Sequence, residues 1–260
     1  MVNVKKCVLV LKLFVLILTL SLVFTSCSKN YKVVKIEGKQ INISDKASSN
    51  QDIENYIAPF RKNIEKDLDS ILAFAPVTLD KTTGEWQTTI GDFLANLTLA
   101  KANVIFLKRE KKDIDLCLLN DGGIRAILPK GNVTTRTAFE IMPFENTAIV
   151  VALKGEQIEE IANYIVRVKK PHPIAGLTFT IGKDNKVKNI KVKNEVLQLD
   201  KTYYVVTSDY LSNGGDNMDF FKKGIQSFDL NYKLRNILID YLKDVDTIPV
   251  ASEIKITKEN

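Results

Sequence analysis

Ile114-Asp115-Leu116-Cys117-Leu118-Leu119 runs without a break into Asn120-Asp121-Gly122-Gly123, and Ile124 and Arg125 follow. The apolar run reads as a short buried strand, and the Asn-Asp-Gly-Gly quartet as the tight turn that ends it. Paired glycines accept positive φ and carry no side chain, so the backbone at such a turn can come close to another group. A second stretch is built the same way: the strand candidate Thr202–Thr207 leads to Tyr210-Leu211-Ser212-Asn213-Gly214-Gly215-Asp216. Either turn alone reads more readily as an ordinary hairpin turn. Their flanks are less ordinary, because Asn120 and Arg125 bracket the first while Tyr210 and Asp216 bracket the second. A large ring beside solvated backbone and an acid is poor core material, so these positions are candidates for contact with a ligand.

Outward from these turns the chain alternates between two periods. Ile53, Ile57, Phe60, Ile64, Leu68, Ile71 and Leu72 recur at three- and four-residue steps, which predicts one amphipathic helix of about six turns from Asn50. Ser49 or Asn50 supplies its N-cap, and Pro76 closes off any continuation. A second helix is predicted from Gly91 through Lys101, carrying Phe93, Leu94, Leu97 and Leu99. Downstream, Ala148–Leu153 reads as a strand and Gly155–Val168 as a helix with Ile158, Ile161, Ala162 and Ile165 on one face. Leu177–Ile181 and Val187–Val192 read as strands, Tyr232–Leu242 as a closing helix and Ile254–Ile256 as an edge strand. Crossover helices do not separate the strands at regular intervals. The fold class is therefore α+β, with mixed sheets layered with helices, rather than a doubly wound parallel sheet.

Before Asn50 the chain reads as an address and a tether. Lys5 and Lys6 precede an apolar run from Leu13 to Phe24, which ends in Thr25-Ser26-Cys27. Charge, apolar run and small residues in that order predict a secretory signal. The closing Cys resembles a bacterial lipoprotein lipobox, which would make Cys27 the lipidated first residue of the mature protein. An uncleaved N-terminal anchor with an incidental cysteine is the alternative. Residues 1–27 are read as a lipoprotein signal peptide, 28–49 as a tether with a strand candidate at Val33–Ile36, and 50–260 as one domain. Such a lipid anchor would hold the protein in the bacterial cell envelope. The periplasmic face of the outer membrane is expected, because Ser28-Lys29-Asn30 lacks an acidic run.

Composition narrows the chemistry. The chain has 260 residues and is 45% hydrophobic, which excludes wholesale disorder. Its 37 Lys and Arg against 31 Asp and Glu become 34 against 31 once Lys5, Lys6 and Lys12 leave with the signal. That small, spread charge does not point to nucleic acid. Cys117 is the one cysteine outside the signal and anchor, and reads as a small buried hydrophobe. His172 is the single histidine. Zinc and dinuclear hydrolase sites usually draw on several His, so no complete metal site is expected within this sequence. Lying in Lys170-Pro171-His172-Pro173, His172 is expected at the surface.

Taken together, Asn120-Asp121-Gly122-Gly123-Ile124-Arg125, Pro143-Phe144-Glu145-Asn146, Lys154-Gly155 and Tyr210 through Asp216 resemble, in this order, the C-terminal domain of the 5'-nucleotidase family. The resemblance runs from about Asn50 to Leu242. It implies a fold in which this domain binds the nucleoside part of a nucleotide, while a metallophosphoesterase domain with two metal ions carries out the hydrolysis. By the same resemblance, Phe144 and Tyr210 would stack on opposite faces of the base, with Tyr in place of the commoner Phe. Asn120 and Asn146 would hydrogen-bond the base edge or the ribose, Asp216 would accept from the ribose hydroxyls, and Arg125 would face the sugar–phosphate side. The family usually has a further arginine upstream of the glycine corresponding to Gly91. Lys81-Thr82-Thr83-Gly84-Glu85-Trp86-Gln87 holds none here, so nucleoside binding is a firmer expectation than phosphate binding.

Three readings follow. The first is the substrate-binding part of a split 5'-nucleotidase, with the divalent metals on a separate metallophosphoesterase chain and no cofactor in this one. The second is a nucleoside-binding lipoprotein used for capture or sensing without a hydrolase partner. The third is a relic fold with no working site, against which the retained Asn120, Arg125, Phe144, Tyr210 and Asp216 speak.

Overall fold

The computed structural model describes residues 4–24, 32–44, 47–250 and 253–259. Contacts divide the chain into two units, Met1–Glu54 and Asn55–Asn260. In the first, α1 (Val4–Phe24) is one apolar helix. Residues 32–44 carry no regular structure, so the strand candidate at Val33–Ile36 does not form. Cys27, the candidate lipidation site, lies outside the described residues.

The helix α2 (Gln51–Leu68) starts where the sequence pattern predicts. Asn50 Oδ1 accepts the N–H groups of Asp52 and Ile53 at 3.0 and 3.3 Å, occupying donors that a helix start leaves free. Its end is earlier than the periodicity implies. Ile71 and Leu72 belong instead to β1 (Ile71–Ala75), because that stretch pairs antiparallel with β3 (Gly131–Thr134). Between these two strands, α3 (Thr89–Glu110) extends beyond the predicted Gly91–Lys101 at both ends. Thr88 Oγ1 caps it by accepting from Gly91 N at 3.1 Å, and Lys111 closes it in the left-handed region at φ 57°. β2 (Leu116–Leu118) follows, and after β3 comes α4 (Thr135–Ile141).

The remaining chain completes two sheets. It runs β4 (Thr147–Lys154), α5 (Gly155–Val168), β5 (Ile174–Ala175), β6 (Leu177–Ile181), β7 (Val187–Val192), β8 (Glu195–Val196) and β9 (Thr202–Ser208). Then come α6 (Asp209–Ser212), β10 (Gln226–Lys233), α7 (Leu234–Asp244) and β11 (Ile256–Lys258). The larger sheet has the order β10-β4-β9-β2-β5, the smaller β11-β6-β7-β8. β2 runs parallel to β9 and β4 antiparallel to it, which is the mixed α+β arrangement expected from the irregular spacing.

The larger sheet is buried on both faces, which is why its central strands read as unbroken apolar runs. Along β4, Ala148 and Val150 join one core with α3 and α7, while Ile149, Val151 and Leu153 join a second core with α5 and the smaller sheet. β2 divides the same way, Cys117 to the first core, Leu116 and Leu118 to the second. Burial pushes the Cys117 thiol far above its ordinary pKa, so it stays an uncharged hydrophobe, as expected.

Candidate functional site

Strand direction gathers the site. Because β2 and β9 are parallel, their C-terminal ends emerge at the same edge of the sheet, and antiparallel β4 begins there. Asn120 follows β2, Phe144 and Asn146 precede β4, and Tyr210 follows β9. The pair Ala148↔Ser208 is in register, and Asn146 and Tyr210 lie two residues beyond it, just before β4 and in α6. All six residues singled out from sequence (Asn120, Arg125, Phe144, Asn146, Tyr210 and Asp216) therefore lie at this one edge.

The first glycine turn is a single 3-10 turn over Asp121–Gly123, closed by Gly123 N to Asn120 O at 3.1 Å and Ile124 N to Asp121 O at 3.1 Å. Lys81 Nζ reaches under it to donate to Asp121 O at 2.9 Å and Ile124 O at 3.0 Å, and stands 3.4 Å from Asp121 Oδ1. The stretch that lacks an arginine thus still delivers a cation to this turn, but one engaged by backbone carbonyls. Arg125 is exposed, its guanidinium 5.9 Å from the Phe144 ring centroid.

Phe144 is held by its loop. Arg235, only 6% exposed at the start of α7, donates through Nη1 to the carbonyls of Met142, Pro143 and Phe144 at 3.3, 3.1 and 3.4 Å. Its Nη2 pairs with Glu145, which also pairs with Lys233. The Lys233 ammonium and the Arg235 guanidinium hold the Glu145 carboxyl below the usual range. The Phe144 side chain itself stays 46% exposed.

The second turn closes on itself. Ser208 Oγ caps α6 by accepting from Leu211 N at 3.1 Å, and Gly214 and Asp216 both take positive φ, 86° and 54°. Asp216 Oδ1 accepts from the Tyr210 hydroxyl at 2.9 Å, and Oδ2 accepts from Asn120 Nδ2 at 2.8 Å. Asn120 and Asp216 therefore meet directly. Tyr210 is 47% exposed and lines an open concavity of about 510 Å³ with Asn146, Asn213 and Gly214. Asn146 also lines a narrow adjoining pocket with Asn120, Phe144 and Leu234. Each ring thus shares a hollow with Asn146, and each is about half-exposed. A larger open hollow of about 780 Å³ lies on the smaller sheet, but the one ring among its lining residues, Phe179, is buried.

His172 corrects an expectation. It is 2% exposed, not a surface residue. Its Nδ1 accepts from Asp121 N at 3.3 Å, and its ring lies 5.5 Å from that of Tyr164, whose hydroxyl donates to Asp216 O at 2.7 Å. His172 and Tyr164 thus underlie both turns at once. Burial is the largest influence on the imidazole and lowers its pKa to about 4, against the opposing pull of Asp121 and Asp216. Among the described residues no three His, Cys, Asp or Glu side chains converge as a metal site, and the donors present do not fit a dinuclear centre.

A family model described as "5'-nucleotidase, C-terminal domain" matches residues 72–223, more than half of the chain. The trifunctional nucleotide phosphoesterase protein YfkN of Bacillus subtilis (strain 168) is 27% identical over 218 residues, covering 77% of this chain and 14% of that protein. The 5'-nucleotidase of Vibrio cholerae serotype O1 (strain ATCC 39315 / El Tor Inaba N16961) is 23% identical over 239 residues, covering 86% of this chain and 41% of that protein. Among solved structures, the 5'-nucleotidase precursor from Thermus thermophilus has a TM-score of 0.67 at 24% identity, covering 80% of this chain and 43% of that one. This structural likeness shows the fold. The chain spans less than half the length of each of these three proteins.

Proposed function

This chain belongs to the 5'-nucleotidase C-terminal domain family, and from that premise we propose that it binds the nucleoside part of a nucleotide between Phe144 and Tyr210. The observation that carries the reading is the pair of half-exposed rings, each lining a hollow with Asn146, next to the Asn120–Asp216 hydrogen bond. Base stacking on aromatic faces is worth about 1–3 kcal/mol per base and tolerates different bases. Asn120 and Asn146 offer amide donors and acceptors to the base edge or sugar, and Asp216 accepts from ribose hydroxyls. Arg125, exposed with its guanidinium 5.9 Å from the Phe144 ring centroid, would offer its fork to the sugar–phosphate side.

Hydrolysis is assigned to a separate metallophosphoesterase chain that holds the divalent metals. Support comes from the donor inventory, because no cluster fit for metal occurs among the described residues. Lipidation at Cys27 would hold this chain at the periplasmic face of the outer membrane, and a partner tethered to the same surface would meet it at high effective concentration, so that weak docking would suffice.

Titration calorimetry with adenosine and AMP on the full chain in detergent, beside a Phe144→Ala, Tyr210→Ala double variant, tests the clamp. Heat is expected from the first protein and not the second, and equal heats end the stacking reading. AMP turnover should require an added metallophosphoesterase. Metal-dependent turnover by this chain alone would overturn the split arrangement, and binding without any stimulated turnover would favour a capture lipoprotein.

A further inference from the structure

We infer that the Tyr210 hydroxyl is a positioning and specificity-determining group, which orients the Asp216 carboxylate to accept two neighbouring hydroxyls of a sugar. The inference rests on the nucleoside reading above and assigns to one oxygen atom what a phenylalanine in that position could not do.

Asp216 is fastened at each of its polar atoms. Oδ1 accepts from Tyr210 and Oδ2 from Asn120, while its N–H donates to the Tyr210 oxygen at 3.2 Å and its carbonyl accepts from Tyr164. The Tyr210 hydroxyl is thus donor and acceptor to the same residue, which satisfies a phenol within the turn. Gly215 makes this possible. A Cβ there would stand 2.5 Å from the Tyr210 ring, so only glycine lets the ring lie against the turn and bring its hydroxyl to Asp216.

A carboxylate offers about four acceptor positions, two on each oxygen. Tyr210 and Asn120 occupy one on each oxygen. One remains on each, in a part-buried group that lines a hollow with Tyr164, His172 and Asn217 beside the Tyr210 turn. A matched pair of acceptors on a fixed carboxylate is complementary to two donors on adjacent carbons, as in the vicinal diol of ribose. A deoxy sugar presents fewer donors, and a free base none. Without the Tyr210 hydroxyl the ring would remain for stacking. The carboxylate, however, would be held by Asn120 alone, free to turn about its Cβ–Cγ bond. Stacking and sugar recognition are therefore joined through one proton donor.

The test compares adenosine with 2',3'-dideoxyadenosine as probes on the full chain and on Tyr210→Phe. The unaltered protein is expected to prefer adenosine, and Tyr210→Phe to reduce that preference by about tenfold, the scale of one charge-assisted hydrogen bond. Dideoxyadenosine affinity should stay within about twofold, because the ring persists. Equal losses for both ligands, or an unchanged preference, would overturn the inference. Amide hydrogen exchange supplies a ligand-free readout: the Asp216 N–H should exchange faster in Tyr210→Phe, and unchanged protection would also overturn it. Failure of the unaltered protein to bind either probe would instead sink the nucleoside clamp, and this inference with it.

Discussion

His172 shows how one buried ring can couple two loops. Its neutral Nδ1 is the acceptor for the Asp121 amide, so the imidazole cannot take up a proton there without losing that bond. Its folded pKa of about 4 lies below the ordinary value of 6.5. Between those values the unfolded chain binds more protons than the folded one, so stability falls as pH drops through this window and is whole above pH 6.5. The loss available to this group is up to about 3 kcal/mol by pH 4. His172→Asn keeps an oxygen acceptor for the Asp121 amide and cannot titrate. Urea midpoints at pH 7 and pH 5 should therefore drop in the unaltered protein and differ much less in the variant. Parallel pH slopes would show that another group is responsible. The residues proposed to face a ligand are legible in sequence because rings and acids beside glycine turns are chemically out of place. Arg235, Lys81 and Tyr164 are not, because most of their partners are backbone carbonyls, and a carbonyl leaves no mark on residue identity.

At the scale of elements, periodicity reports local structure better than burial. α5, β6 and β7 have the bounds read from sequence, since each has one apolar face that its neighbours cover. β10 escapes the sequence reading, which gives its Tyr232 to the helix that follows. Phe228, Leu230 and Tyr232 do alternate, but as an edge strand β10 carries polar residues between them and lacks the apolar run of β4. α2 presents the converse. Its stripe of Ile53, Phe60 and Ile64 has ideal helical spacing, yet these side chains are 57–58% exposed and no residue of the helix is buried. Phe60→Asp and Ile64→Asp should each change unfolding free energy by no more than about 0.5 kcal/mol, the range of surface substitutions. Phe106→Ala in α3, where the ring is fully buried, should cost about 3–5 kcal/mol. Denaturant melts of the three variants check this, and a large loss at Phe60 would mean that the stripe packs against something.

Across the Asn55–Asn260 unit, α3 is tied to the segment entering β11 by a pair distant in sequence. Lys255, 1% exposed, donates through Nζ to Asp92 Oδ1 at 2.9 Å, and the Asp92 side chain is only 5% exposed. Gln87 binds the same group from the other side. Its Nε2 donates to Asp92 Oδ2 at 2.9 Å and Glu253 O at 2.8 Å, and its Oε1 accepts from Lys255 N at 2.8 Å. The start of α3 is thereby joined to the segment entering β11, which adds to the smaller sheet in parallel with β6. Asp92 lies in the first turn of α3, where the helix dipole also favours its negative charge. A buried pair of this kind adds little net stability over an apolar replacement, because both charges lost their water, yet removing one partner strands the other. Lys255→Met should therefore cost about 3–5 kcal/mol, while Asp92→Leu combined with Lys255→Met should recover most of that loss. Urea unfolding of both variants measures the difference. A single variant as stable as the unaltered protein would show that water reaches Asp92 once the ammonium is gone, and that the segment entering β11 is held by Gln87 and strand pairing rather than by charge.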